Sequence, residues 1–295
     1  MRAFAAVAAA AGIALSAQAV HVTAKIRVGT ASGPCAAAVG GRWVWVSEFN
    51  QPKLLEIDPR TNKVRGTAKV GYGACGLAYG KGSMWAEDTS SNAVSRVSVK
   101  KGKRTATIRV GSTPYDTTFA FGSAWTTANG GNELDRIDPA KNRVVARIPV
   151  ATPVGVVAAF GSVWVAGTNG VARVDPGTNK KIATISIPSA GWTAASANAI
   201  WITAPGELVR IDPATNTVAA HVPMPAVPLG DPDVVAGDVW VPVIQQNRVA
   251  VVDPSTNTVV QSVKTGKGPF VVTAHGQDAW VPSWQGSNIY RFHAS

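Results

Sequence analysis

Charge is scarce in this chain of 295 residues: 15% are Asp, Glu, Lys or Arg, whereas 46% are apolar. A chain so apolar and so sparsely charged can bury a large core, which excludes a disordered protein. Cysteine is nearly absent, with two residues, and this excludes a small disulfide knot. Histidine is almost as rare, with four residues. Long apolar runs are lacking as well. The one notable run, Phe4 to Leu15, falls short of the ~20 residues that cross a bilayer as a helix. Missing too are the short patterns that mark common chemistries. There is no Gly-rich phosphate loop, no His-Glu-x-x-His, no nucleophile elbow and no Cys-x-x-Cys.

What the chain does have is 29 Gly, 19 Pro and 10 Trp. That mixture describes many turns joined by short aromatic strands, and it excludes a collagen or a coiled coil. Net charge is +11 and the isoelectric point is near 10. A bulk positive charge favours anionic surfaces of any kind, from cell-wall polymers to lipid headgroups or nucleic acid. Met1-Arg2, the Ala-rich run to Leu15 and the small residues of Ala17-Gln18-Ala19 read as a secretory signal, residues 1–19, cleaved after Ala19. The expected product is one domain, residues 20–295, carrying +10 once Arg2 is subtracted from +11, and placed outside the cytoplasm. It is expected to be secreted, periplasmic or envelope-associated, with no further membrane segment, and monomeric.

The chain repeats itself. Trp45, Trp85, Trp125, Trp164, Trp201, Trp240 and Trp280 are separated by 40, 40, 39, 37, 39 and 40 residues. About a dozen residues after most of them comes an Asp-Pro turn: Ile57-Asp58-Pro59-Arg60-Thr61-Asn62, Ile137-Asp138-Pro139, Val174-Asp175-Pro176-Gly177-Thr178-Asn179, Ile211-Asp212-Pro213-Ala214-Thr215-Asn216 and Val252-Asp253-Pro254-Ser255-Thr256-Asn257. The second unit has Val97-Ser98-Val99 in its place. Asp can hold the backbone two residues on, Pro presets the first turn position, and Asn tolerates a left-handed backbone. We read these aspartates as turn chemistry and not as metal ligands.

Each unit holds four strand-like runs. In the first they are Cys35–Val39, Trp43–Ser47, Lys53–Ile57 and Lys63–Val70, with period-two alternation in Arg42-Trp43-Val44-Trp45-Val46. Four strands every ~40 residues is the period of a propeller blade. The expected fold is therefore all-β: a seven-bladed β-propeller of four-stranded antiparallel blades. The last unit supplies only Phe270–His275, Ala279–Trp284 and Asn288–Phe292 before the chain stops. The unpaired run Val22–Val28 resembles the fourth strands of other units, so the N-terminal strand is expected to complete the last blade.

The units resemble the YVTN-type seven-bladed propeller repeat, and more closely the secreted propellers grouped with virginiamycin B lyase. Gly111-Ser112-Thr113-Pro114, Gly122-Ser123-Ala124-Trp125 and Arg136-Ile137-Asp138-Pro139 carry the resemblance, which spans Val22 to Ser295. It implies the propeller architecture. It also implies a lyase that opens a lactone by elimination, using a divalent metal and histidines in the loops that lead into the first strands. At the matching positions this chain has Cys35, Cys75, Tyr115, Val154, Trp192, Asp231 and Phe270, so no histidine carries over. His21, His221, His275 and His293 fall on outer strands, a lower turn or the chain end.

In such a ring the inter-blade loops share one face, the upper, with the hairpin loops between second and third strands. The upper-face candidates for ligand binding are Glu48, Asn50, Glu87, Asp88, Tyr115, Asp116, Trp192, Asp231, Phe270 and Trp284. Asp233, Phe49, Asn129, Asn169, Glu207, Gln245 and Gln285 share that face. This acidic, amide-bearing and aromatic set suits a polar or cationic small molecule, a sugar or a peptide. Cys35 and Cys75 occupy matching repeat positions 40 residues apart, beside each other near the channel, and an export compartment favours a disulfide between them. The basic residues of the outer strands, such as Lys63, Arg65, Lys103, Arg104, Arg143 and Lys180, are expected to blunt strand edges.

The leading functional expectation is a ligand- or protein-binding scaffold with no catalytic residues and no cofactor. One alternative is a lyase-like carbon–oxygen lyase with a divalent metal, Ca²⁺ or Mg²⁺, on Glu48, Glu87, Asp88, Asp116 or Asp231. The other is an anionic cell-envelope polymer or nucleic acid held at the basic rim.

Overall fold

The computed structural model describes residues 20–295, so the signal segment, residues 1–19, lies outside the described residues. Seven four-stranded antiparallel sheets stand in a ring. Blade one comprises Pro34–Gly40, Trp43–Glu48, Lys53–Asp58 and Lys63–Lys69, within a residue of the expected runs. Each sheet is a meander of hairpins, because a turn of Gly, Asn or Asp-Pro follows every short β-branched run. Asn62, Asn142, Asn179, Asn216 and Asn257 all adopt positive φ, between 48° and 58°, as the turn reading expects.

The ring closes through its own beginning. Val20–Arg27 pairs antiparallel with Asn288–Ala294 as the outermost strand of blade seven. Blade seven's first strand is shorter than the sequence pattern suggests, covering Thr273–His275 instead of Phe270–His275. The reason is a competing partner. The Asp231 N–H donates to the Phe270 carbonyl at 2.7 Å and the Val272 N–H to the Asp231 carbonyl at 3.0 Å. Residues 270–272 thus bond sideways to blade six. The second strand, Asp278–Pro282, likewise ends before Trp284, which is released to the upper face.

The core lies between blades. All seven repeat tryptophans are fully buried. Four of them donate their indole N–H to the carbonyl five residues earlier: Trp45 to Gly40, Trp85 to Gly80, Trp125 to Ala120 and Trp164 to Ala159, at 3.1–3.3 Å. The outermost strands carry their lysines and arginines in solvent: Lys63, Arg65, Lys103, Arg104, Arg143 and Lys180 are exposed there. Charge on such edges disfavours pairing with another sheet.

A second use of the Asp-Pro turns emerges only in three dimensions. In five of the seven blades an arginine, Arg96, Arg136, Arg173, Arg210 or Arg291, stands on the third strand opposite the buried tryptophan. Each guanidinium lies over its tryptophan ring, 4.6–5.6 Å from the centroid. Each then donates into the turn of the next blade, to the Pro carbonyl (Pro139, Pro176, Pro213, Pro254 and Pro59 in turn) and to the turn Asn Oδ1. The Asn contacts, to Asn142, Asn179, Asn216, Asn257 and Asn62, are 2.8–3.3 Å. The two remaining blades follow the same logic in reverse. Blade one has Glu56 opposite Trp45, and blade two has Val99-Lys100-Lys101-Gly102 where the Asp-Pro turn would be. Blade six has Val251 opposite Trp240, and blade seven has no such turn, because its fourth strand is the N-terminal one. Arginine is present where the next blade offers acceptors and absent where it does not.

Candidate functional site

The upper mouth of the channel is built from a repeated position, two residues after each tryptophan. In blades one, three and five a hydroxyl stands there. Ser47, Thr127 and Thr203 accept the backbone N–H of Ala36, Asp116 and Trp192 at 3.0, 2.9 and 2.8 Å. Each bond pins the start of a first strand. Blade two places Glu87 in this position. Its Oε1 accepts the Cys75 N–H at 3.0 Å, as a hydroxyl would, but its Oε2 is buried with no partner. Gly76 makes the room: a Cβ there would sit 2.0 Å from Oε2.

Around this carboxyl five aromatic side chains form a cup. Phe49 and Trp284 come from hairpin loops, Trp192 and Phe270 from inter-blade loops, and Tyr115 from the start of the first strand of blade three, Pro114–Ala120. Tyr115 stacks on Trp192 at 5.6 Å between centroids, and Trp192 meets Phe270 edge-on at 5.1 Å. Trp284 closes the arc, 6.1 Å from Phe270 and 6.0 Å from Phe49. The Cys35–Cys75 disulfide, with Cα atoms 5.1 Å apart, completes the wall beside Glu87. The enclosed space is about 310 Å³. The bridge ties blade one to blade two across 40 residues. Chain-entropy reasoning gives a loop of that length about 4 kcal/mol. Cys35→Ser with Cys75→Ser is therefore expected to lower unfolding free energy by about 3–4 kcal/mol in urea denaturation. An unchanged midpoint would refute that estimate.

From Cys75 a second cavity of about 360 Å³ continues along the first strands. Asp116, Asp231 and Asp233 line it. Asp116 accepts the N–H of Thr117 at 2.7 Å and of Val156, in the next blade, at 2.8 Å. Asp233 repeats the bridge between blades six and seven, accepting from Val234 at 2.7 Å and Ala274 at 2.8 Å. Burial pushes all four channel carboxyls upward. Glu87 and Asp231 are held well above their ordinary values, chiefly by burial and then by the charge of Asp116. Asp233 is raised by burial, and burial raises Asp116 to about 6 against its backbone hydrogen bonds. Among the described residues, no Lys, Arg or His lines either cavity.

Asp116 gives a pH prediction. An unfolded Asp loses its proton near 3.9, but the native group holds it to about 6. Its contribution is therefore full below about pH 4 and is lost as pH rises to about 6. The stability of Asp116→Asn relative to wild type is expected to rise by up to about 3 kcal/mol between pH 4 and pH 7. Urea denaturation at both pH values measures it. A pH-independent difference would show that the group titrates normally.

The structure thus gathers Glu87, Tyr115, Trp192, Phe270 and Trp284 at the cup, and Asp116 and Asp231 below it. The other candidates stand apart. Glu48 is buried against Lys53 at 3.1 Å. Asp88 turns into its own blade, accepting from the Gly71 N–H and the Ser95 hydroxyl at 2.6 Å each. Asn50 is exposed and donates to the Ala31 carbonyl at 3.1 Å. Among the described residues no group of three or more His, Cys, Asp or Glu is placed to hold a metal ion. Of the carboxylates named for a divalent metal, Glu48 and Asp88 face away and both Asp116 oxygens accept backbone N–H groups.

No family model matches the chain, and no curated protein matches its sequence. Solved structures do. Virginiamycin B lyase from Staphylococcus aureus superposes with a TM-score of 0.80 at 15% identity, over 94% of this chain and 100% of that one. The likeness is one of fold. A streptogramin B lyase gives 0.81 at 15% identity, over 94% and 98% of the two chains. Kuenenia stuttgartiensis hydrazine synthase gives 0.74 at 16% identity, over 92% and 97%. A catalytically inactive variant of the Staphylococcus aureus lyase was solved with quinupristin. Proteins of different chemistry share this ring, so the site, and not the fold, must carry a functional argument.

Proposed function

We propose that this protein is a binding propeller, outside the cytoplasm, which takes a small ligand or the tip of a protein partner into the aromatic cup. The observation that carries the reading is the convergence of Phe49, Tyr115, Trp192, Phe270 and Trp284 on one enclosed space. Aromatic rings bring large apolar area with little conformational entropy to lose, which suits recognition. Rigid first strands, pinned by Ser47, Glu87, Thr127 and Thr203, hold those loops in place. The disulfide, and the absence of a membrane-crossing helix among the described residues, are compatible with export.

A thermal-shift screen of sugars, peptides, cyclic depsipeptides and metal salts tests the reading. A binder at 100 times its Kd is expected to stabilise the fold by about 2.7 kcal/mol. Trp192→Ala and Tyr115→Ala are each expected to weaken that binder roughly tenfold or more, while circular dichroism stays that of the wild type. A binder indifferent to both substitutions would place the site elsewhere.

A further inference from the structure

Resting on the reading of the cup as a ligand site, we propose that its ligand is an organic cation bearing an alkylated ammonium group. Three independent observations converge on this class. The walls are aromatic rings, a residue class that attracts a cation through its quadrupole and offers an alkylated nitrogen contact without requiring hydrogen bonds. At the base, Glu87 puts a carboxyl where three other blades put a hydroxyl. A hydroxyl suffices to pin the strand, so the second oxygen is surplus to the fold, and that oxygen, Oε2, is the buried one without a partner. Finally, although the chain is rich in Lys and Arg, none of those among the described residues stands around the cup or the cavity below it. Asp116, Asp231 and Asp233 face the channel beyond Glu87, so the local field favours positive charge although the whole molecule is basic.

Rings alone would accept any flat apolar group. A carboxyl alone would be filled as well by a primary amine, which needs acceptors for three N–H bonds. The cup offers one unpartnered carboxyl oxygen among five rings, and an alkylated ammonium matches that ratio of charge to apolar surface. Burial raises Glu87, Asp116, Asp231 and Asp233 above their ordinary carboxyl values. An entering cation favours the ionised form, so binding is coupled to proton release.

Calorimetric titration of the full chain with tetramethylammonium and choline, beside the uncharged isostere 3,3-dimethylbutan-1-ol, tests the proposal. The two cations are expected to bind roughly tenfold or more tightly than the isostere. Tetramethylammonium, which does not titrate, is expected to bind more tightly at pH 8 than at pH 5 and to release protons. Glu87→Gln, which keeps an acceptor for the Cys75 N–H, is expected to lose most of the preference for charge. Tyr115→Ala is expected to weaken all three ligands and serves if Glu87→Gln does not fold. Equal binding of cations and isostere, lost in Tyr115→Ala, would overturn the cation and leave the cup reading standing. Cation binding indifferent to both variants would overturn both readings. No binding of either cation at millimolar concentration would overturn the cation alone, since the broader compound screen decides the cup.

Discussion

Deleting Val20–Arg27 will destabilise the closed ring and make the protein prone to aggregate. Those eight residues supply the outermost strand of blade seven and pair with Asn288–Ala294 at seven positions, from Val20 with Ala294 to Arg27 with Asn288. Ile26 is buried among Val44, Trp280 and Ile289, where blade seven meets blade one. Its removal forfeits about 2 kcal/mol of apolar burial. Several ladder hydrogen bonds, each net about 1 kcal/mol, go with it. The sum, on the order of 5 kcal/mol, is comparable with the whole stability of many domains. The loss is compounded by geometry. Asn288–Ala294 becomes an open edge with a row of unpaired N–H and C=O groups, which is a template for intermolecular pairing. Refolding yield and size-exclusion chromatography will show aggregate in place of the wild-type species, and a peptide spanning residues 20–28 added in trans will restore part of it. A monomeric deletion variant with an unshifted melting temperature would mean that blade seven stands on three strands and that the ring does not depend on this closure.

Arg136→Ala will destabilise the fold by about 2–4 kcal/mol without touching the cup. Its guanidinium lies 4.8 Å from the Trp125 ring centroid and donates to the Pro176 carbonyl at 2.7 Å and Asn179 Oδ1 at 2.8 Å. The alanine leaves those two acceptors and the Ser123 hydroxyl, which takes the Arg136 Nε–H at 3.0 Å, without their donor. For a chain of this size the melting temperature should fall by roughly 5–10 °C. A double-mutant cycle with Asn179→Ala should return a coupling of about 1 kcal/mol or more. Additive effects would show that arginine and turn act separately. The arginine staple links five of the seven blade junctions, since Arg96, Arg173, Arg210 and Arg291 make the same contacts. Losses at separate junctions should add, because each is made of its own residues.

The architecture was legible because repetition is visible in one dimension. Seven tryptophans at near-constant spacing, five Asp-Pro turns and a spare strand at the front define blade number, hairpin order and closure before any coordinate is known. The Cys35–Cys75 pair was legible for the same reason: equal repeat positions in neighbouring blades become neighbours in space. The candidate site was legible only as a face. Repeat alignment puts Glu48, Glu87 and Asp88 alike on the upper side, but it does not say which way a side chain turns. Glu48 lies against Lys53 and Asp88 folds back onto Ser95, whereas Glu87, one residue from Asp88, turns to the channel. In a strand successive side chains point to opposite faces, so adjacent acids in one hairpin have opposite fates.

Phe49 and Trp284 show the same limit. Each sits in the hairpin loop after a second strand, and only the curvature of the ring brings them within 6.0 Å of each other. Three of the arginine staples, Arg136, Arg173 and Arg210, were in plain view as a recurring Arg-Ile/Val-Asp-Pro string, yet their acceptors lie 40 to 47 residues away along the chain in the next blade.

Local order along the chain, set by strand alternation, turn chemistry and repeat length, was determined by the amino-acid sequence alone, because those forces act between residues close in sequence. Which aromatic rings enclose a cup, which carboxyl oxygen is left without a partner and which turn receives each arginine were decided by the closed ring, because they depend on distances between blades that no linear spacing encodes.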